Sequence, residues 1–249
     1  MKKKYYIYHH LGLGDHIIVN GLIRKIIKDD GLYFLFCKKH NVDSVEFMFK
    51  DLTNLKIISV NNDLDVIKFI NGNNITNVIK IGHENLEFIK RFYNCTWDEA
   101  FYKQLNVDFE ERWDSFYYER DEEVEDSLFN ECNPEKVPYA LIHNLDSTGT
   151  DRIDYGKVSP TLKRIYITKS DTIFDYGKLI ENANEVHCID SSFKHIVDSI
   201  PTNGELFYHK NYNFRSTSSD DHQYRKNWNV IWEIIFKLIN YQNYTMEKI

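Results

Sequence analysis

Nowhere in the chain do two cysteines stand close enough to clasp a metal or staple a short loop. Cys37, Cys95, Cys132 and Cys188 lie far apart, without a C-x-x-C pair. That spacing argues against a disulfide scaffold and fits free thiols in a reducing compartment. Long apolar runs are also missing, since none approaches the ~20 residues of a membrane span. After Met1-Lys2-Lys3-Lys4, the residues Tyr5 to His10 are too short and polar a stretch for a secretory signal. A cytoplasmic protein with no membrane span is expected, and the sequons at Asn74, Asn94 and Asn243 then carry no glycan. Nor is there a basic excess: 31 Lys plus Arg against 38 Asp plus Glu leave a formal charge of −7. A general nucleic-acid binder needs a basic face to neutralise phosphates, so no nucleic-acid partner is expected. Internal repeats and low-complexity tracts are not found.

What is present is a core-forming composition. The 249 residues are 42% hydrophobic and 15% aromatic, with 17 Tyr and 16 Phe, enough for two small domains of roughly 100–150 residues each. Short apolar runs alternate with helix-length amphipathic ones, the pattern of parallel sheets covered by helices. The fold class expected is α/β, two Rossmann-like domains facing across a cleft, 1–133 and 134–249. In the first, strands are predicted at Tyr5 to Tyr8, Tyr33 to Cys37, Lys56 to Val60 and Val78 to Ile81. Helices are predicted at Ile17 to Ile27, Val42 to Phe49, Leu64 to Ile70 and within Leu86 to Leu105. Between Asp108 and Asp126, ten acidic residues face two basic ones, read as a solvated helix ahead of a crossover at Pro134 and Pro138. The second domain predicts strands at Tyr139 to His143, Arg164 to Ile167, Glu185 to Ile189 and Glu205 to His209. Its helices are predicted at Thr172 to Asn182, Phe193 to Ile200 and Trp228 to Tyr241, the last from the stripe Trp228, Ile231, Trp232, Ile235, Leu238.

Three stretches can carry chemistry. In Leu11-Gly12-Leu13-Gly14-Asp15-His16, a glycine turn leads from strand to helix at the sheet edge where open α/β folds bind ligands. Gly12, Leu13, Gly14 and His16 thereby become an acceptor or phosphate loop. Asp15 has two roles open to it, helix N-cap or general base facing the cleft. A dinucleotide fingerprint is not met, because Ile17 stands where the third glycine belongs and Lys38-Lys39 where an acidic residue belongs.

The second stretch, Asp190-Ser191-Ser192-Phe193-Lys194-His195, passes from strand to helix through three small polar residues. They can cap the helix, and its first amides and hydroxyls can hold a diphosphate. An early G-L-G-D turn followed by a late D-S-S-x-x-H turn resembles the GT-B glycosyltransferases of the lipopolysaccharide heptosyltransferase type, whose motifs are G-D and D-T-G-x-x-H. Ser191 replaces the threonine and Ser192 the glycine, and the chain is shorter than such enzymes. The resemblance implies Asp15 as the catalytic base, and Asp190, Ser191, Ser192 and His195 at the nucleotide-diphosphate site.

The third stretch, His143 to Arg152, follows the first strand of the second domain. His143, Ser147, Thr148 and Arg152 are the further donor-binding candidates, Arg152 through bidentate pairing with phosphate; Lys169 is a similar one. His9, His10 and His16 lack the spacing of a zinc site, and Asp63-Leu64-Asp65 falls where a helix start is expected, so no metal and no cofactor is expected. The resulting expectation is an inverting, metal-independent glycosyltransferase using a nucleotide sugar and a carbohydrate or glycan acceptor. Two other readings stay open: an NAD(P)-linked or other nucleotide-using Rossmann enzyme, and a non-catalytic binding protein of the same fold.

Overall fold

The computed structural model describes residues 2–168, 172–210 and 222–232. Two wholly parallel sheets carry the molecule, the first in the order β3-β2-β1-β4 and the second in the order β6-β5-β7-β8-β9. The first consists of β1 (Lys3–Tyr8), β2 (Gly31–Lys38), β3 (Leu55–Val60) and β4 (Val78–Lys80). In the second are β5 (Tyr139–His143), β6 (Lys163–Tyr166), β7 (Glu185–Cys188), β8 (Glu205–Lys210) and β9 (Trp228–Trp232). This is the two-sheet α/β arrangement of a GT-B-like fold. The aromatic richness has a structural use: in the β1–β2 register Tyr5 lies opposite Tyr33 and Tyr6 opposite Phe34. Their rings stack at 5.1 and 4.9 Å between centroids, the cross-strand pairing that stabilises sheets.

Each strand order reverses once, between β1 and β4 and between β5 and β7. Ligands of open parallel sheets bind outside the carboxyl ends of the strands at such a reversal. The loops after β1, β5 and β7 therefore hold the chemistry-bearing stretches by topology alone.

The helices are α1 (Leu13–Ile18), α2 (Asn20–Ile26), α3 (Val42–Met48), α4 (Asp63–Gly72), α5 (Leu86–Tyr93), α6 (Trp97–Gln104), α7 (Glu111–Asp114), α8 (Glu122–Cys132), α9 (Gly177–Asn182) and α10 (Ser192–Ser199). Three differ from the sequence expectation. The helix predicted over Ile17 to Ile27 starts at Leu13 and is interrupted at Val19, giving α1 and α2. The acidic stretch is solvated only in part: most of its carboxylates are exposed, including Glu122, Glu123 and Asp126 on α8, whereas Arg112 and Trp113 are buried, Glu125 is 2% exposed, and Tyr118 joins the core. Its aromatics supply the apolar contact, and both its arginines are paired with carboxylates, Arg112 with Asp98 and Arg120 with Glu125 and Glu181. The predicted helix at Trp228 to Tyr241 is, over Trp228–Trp232, the edge strand β9, paired parallel to β8; the rest lies outside the described residues. Its apolar positions suit a strand as well as a helix, because a short run of this kind fits both periods.

The halves share one core. A single buried cluster runs from Ile7 and Leu22 of the first to Phe174, Phe193 and Val197 of the second. The helices α1 and α10 pack against one another, and α8 packs on α9, where Glu125 accepts from the Lys178 amide at 2.7 Å.

Candidate functional site

The close packing of α1 on α10 starts at Gly14. A β-carbon placed there would lie 3.4 Å from Cδ2 of His195 and 3.7 Å from the Ser192 backbone. The two motifs, 176 residues apart between Gly14 and Asp190 by sequence number (190 minus 14), meet across one seam. Beside it opens a cleft of about 880 Å³, lined by both halves, within the size range of small-molecule sites.

The first wall is the glycine turn. Gly12, Leu13, Gly14 and Asp15 all line the cleft, as do Lys38, His40 and Lys90. Because α1 begins at Leu13 with Gly12 in the cap position, Asp15 is in the first helical turn and is not the N-cap. One of the two roles open to Asp15 is thereby removed. His16 is turned the other way: it is fully buried, and its Nδ1 lies 3.0 Å from Nε2 of His9. Burial holds the His16 imidazole at about 3, well under its ordinary 6.5, so the ring is neutral. His16 is thus part of the core and not of the acceptor loop. The same interior holds Ile17, 1% exposed, at the position a dinucleotide fingerprint gives to glycine.

The opposite wall is the carboxyl edge of the second sheet, where His143, Asp190, Ser191, Ser192 and His195 all line the cleft. Ser191 occupies the N-cap position of α10 without a side-chain bond to the helix amides. Its hydroxyl instead lies 3.2 Å from His143 Nδ1. Capping therefore does not account for the serine, and the residues that open α10, Ser191 and Ser192, line the cleft at the positive end of the helix dipole. Burial lowers His143 to about 4, so it too is neutral. Asp190 accepts from Nζ of Lys194 at 3.0 Å, one turn along α10. Lys194 is wholly buried, its ammonium 3.4 Å from the Tyr208 ring centroid and 4.7 Å from that of Tyr224. Burial pushes the lysine down, and Asp190 opposes that.

The third stretch folds around a single carboxylate. Asp146 accepts from the Thr148 amide and hydroxyl at 2.8 and 2.5 Å, from the Thr150 amide at 3.0 Å and from Arg152 Nε at 2.9 Å. The Thr148 hydroxyl, helped by the Arg152 guanidinium, holds its carboxyl well below the usual range. The knot turns Asp146 and Ser147 to the cleft, while Arg152 is tied back to Asp146 and neither it nor Thr148 lines the cleft. Lys169 lies outside the described residues. Asp63 and Asp65 occupy the first turn of α4, capped by Asn62, and Asp63 accepts from the Tyr8 hydroxyl at 2.8 Å. Among the described residues no group of three His, Cys, Asp or Glu is placed to hold a metal ion, and no helix is long and apolar enough to cross a membrane.

Behind the seam stands a network the sequence did not announce. Asp98 and Arg112, both buried, form an ion pair, and Arg112 also donates to the Gln223 carbonyl at 2.8 Å. Its remaining η nitrogen is 3.2 Å from Nδ1 of His195. His222 stands edge-on to His195 at 5.2 Å and lines the same cleft. The available signal was Arg112 itself, one of two cations in a run of acids and set between Glu111 and Trp113.

Comparison with known proteins bears on the fold first. The chain has the paired-sheet architecture of a GT-B-like fold. One solved structure it resembles is "the crystal structure of the glycosyl transferase family 9 from Veillonella parvula DSM 2008", with a TM-score of 0.55 at 13% identity, over 98% of this chain and 92% of that one. No protein-family model matches the chain, and no curated protein does.

Proposed function

We propose that the chain is a glycosyltransferase moving a sugar from a nucleotide-sugar donor to a hydroxyl of a carbohydrate or glycan acceptor. The observation that carries the reading is the shared cleft, with Asp15 on one wall and Asp190, Ser191, Ser192 and His195 on the other. Support for the class comes from the likeness in fold to a family 9 glycosyltransferase structure, and for the heptosyltransferase type from the two motifs.

The donor lies with its diphosphate at the start of α10. There the helix amides, the Ser191 and Ser192 hydroxyls and His195 stabilise the leaving charge, which is the largest contribution such sites make. The acceptor rests against the first half. Its hydroxyl oxygen attacks the anomeric carbon from the side opposite the diphosphate, and the carbon–oxygen bond to the diphosphate breaks. The hydroxyl proton passes to Asp15, and the nucleoside diphosphate departs with the bonding electron pair. Attack from the opposite side inverts the anomeric centre. No metal takes part in these steps.

The test is a thermal-shift panel of UDP-, GDP-, ADP-, CMP- and dTDP-sugars with NADPH as control, followed by turnover with the stabilising donor. A ligand at 100 times its Kd adds about 2.7 kcal/mol of stability. Stabilisation by one sugar nucleotide, turnover that survives chelator, and a product of inverted configuration by NMR are expected. Stabilisation by NADPH alone overturns the reading in favour of a Rossmann oxidoreductase. Donor binding without turnover on any acceptor overturns it in favour of a binding protein.

A further inference from the structure

Arg112 reaches His195 from the other side of the seam, and the chemistry of the contact fixes where the imidazole keeps its proton. Arg112 is 1% exposed and His195 5%. One η nitrogen of Arg112 serves Asp98 and the Gln223 carbonyl, and the other lies 3.2 Å from Nδ1 of His195. A guanidinium has five N–H donors, no acceptor, and keeps its charge at any pH a protein survives. The contact is a hydrogen bond only if Nδ1 offers its lone pair, and a neutral ring then carries its proton on Nε2. That edge of the ring faces Gly14, whose added β-carbon would lie 3.7 Å from Nε2.

We infer that Arg112 is a positioning residue that locks His195 as the neutral Nε2–H tautomer, so that the cleft meets a fixed N–H donor and neither a base nor a cation. Protonation of Nδ1 would set an N–H against an N–H and one cation against another. The two cations facing the ring act in the same direction. Arg112 comes from α7 and Lys194 from its own helix. His222 and Tyr224, their rings 5.2 and 6.2 Å away, come from the segment before β9. Asp15 is contributed by α1 next to Gly14, and Asp98 lies behind Arg112, engaged with it. Burial, then His222, Arg112 and Lys194, all disfavour an imidazolium here. For the proposed reaction, on whose assignment of the cleft this step rests, the consequence is a role. His195 donates to an oxygen of the leaving diphosphate and never competes with Asp15 for the acceptor proton.

The tautomer is read directly from long-range proton–nitrogen NMR correlations on the full chain labelled in its histidine nitrogens, with His195→Gln identifying the signal. Nε2 protonated and Nδ1 bare, unchanged between about pH 5 and 8, is the expected pattern. An ordinary imidazole with a pKa near 6.5 would instead be roughly thirtyfold more charged than neutral at pH 5. A protonated Nδ1 anywhere in that range overturns the inference, and the unmodified protein alone decides it. In the paired variant Arg112→Gln with Asp98→Asn, which leaves no unbalanced charge, His195 is expected to titrate or to populate both tautomers. A ring that stays locked there shows that Arg112 is not what holds it. The spectrum needs no sugar nucleotide, so a failed donor screen leaves this inference standing. A cationic His195 in a protein that binds its donor sinks this inference and spares the proposed function.

Discussion

Asp198 of α10 accepts the indole N–H of Trp113 of α7 at 2.8 Å, a hydrogen bond that crosses the seam between the two halves. The same carboxylate, 1% exposed, also accepts from the amides of Arg225 and Lys226 and from the Trp228 indole, each at 3.1 Å. One buried side chain thus ties α7, α10 and the strand-leading segment 225–228 together. Asp198→Ala strands four donors, and each buried donor left unpaired costs about 1–3 kcal/mol unless water reaches it. A loss of roughly 3 kcal/mol or more is expected in urea denaturation, with a smaller loss for Asp198→Asn, which keeps one acceptor oxygen. An Asp198→Ala variant within about 0.5 kcal/mol of the parent, the range of ordinary surface changes, would contradict this account.

Two helical glycines should respond to alanine in opposite directions. Exchange of glycine for alanine in a helix gains about 0.5–1 kcal/mol. At Gly72, the last residue of α4, nothing lies within 4 Å of the added carbon, so a gain of that order at most is expected. At Gly21 in α2 the carbon would fall 1.9 Å from the Glu111 carbonyl oxygen, which is backbone of α7 and cannot swing aside. Overpacking of a tight contact costs typically 1–3 kcal/mol, so the net effect is destabilising. Thermal unfolding of the two variants should bracket the parent, and a stabilised Gly21→Ala would show that α2 and α7 are not in contact.

These particulars mark what could be read from the residues in order. Local periodicity placed the strands of both sheets well, because buried parallel strands are short apolar runs between turns; β9 is the exception, since Trp228 to Trp232 satisfies a helical stripe equally. The motifs were legible for a related reason: a glycine turn and a cluster of small polar residues at strand ends follow from topology. What could not be read were pairings fixed only by the packing of distant elements. Asp98 with Arg112, Asp190 with Lys194 and Asp146 with Arg152 are ordinary charges in sequence. Only the fold makes the first a buried prop for His195 and the last a reason that Arg152 does not line the cleft.

The buried histidines make stability depend on pH with a definite sign. Burial lowers His16 to about 3 and His209 to about 4 from an ordinary 6.5. His9 and His195 are lowered in the same direction. The unfolded chain binds protons at these sites below about pH 6.5 while the native one does not, so the stability they give is full above that value. It is lost as pH falls from there toward 3 or 4. By pH 5 each of His16 and His209 accounts for roughly 2 kcal/mol of lost stability. Urea midpoints should fall clearly between pH 7 and pH 5, and fall less in His16→Gln than in the parent. A flat profile over that range would mean these rings take up protons in the folded state.

Asp15 and Asp190 line the same cleft, yet their substitution should separate turnover from stability. Asp190 balances a lysine that is wholly buried, and leaving such a charge without its partner costs about 3–5 kcal/mol. Asp190→Asn should therefore lower the urea midpoint and weaken donor binding together. Asp15 is half-buried in the first turn of α1. Amide for carboxylate there keeps the side chain's shape and weakens an interaction with the helix dipole worth about 0.3–1 kcal/mol. What Asp15→Asn removes is the group that takes the acceptor proton, and loss of a positioned base slows such steps by about 10²–10⁴-fold. The expected result is a folded protein with donor affinity near that of the parent and kcat lower by that factor. Unchanged turnover in Asp15→Asn would remove this carboxylate from the reaction and leave the cleft in need of another base.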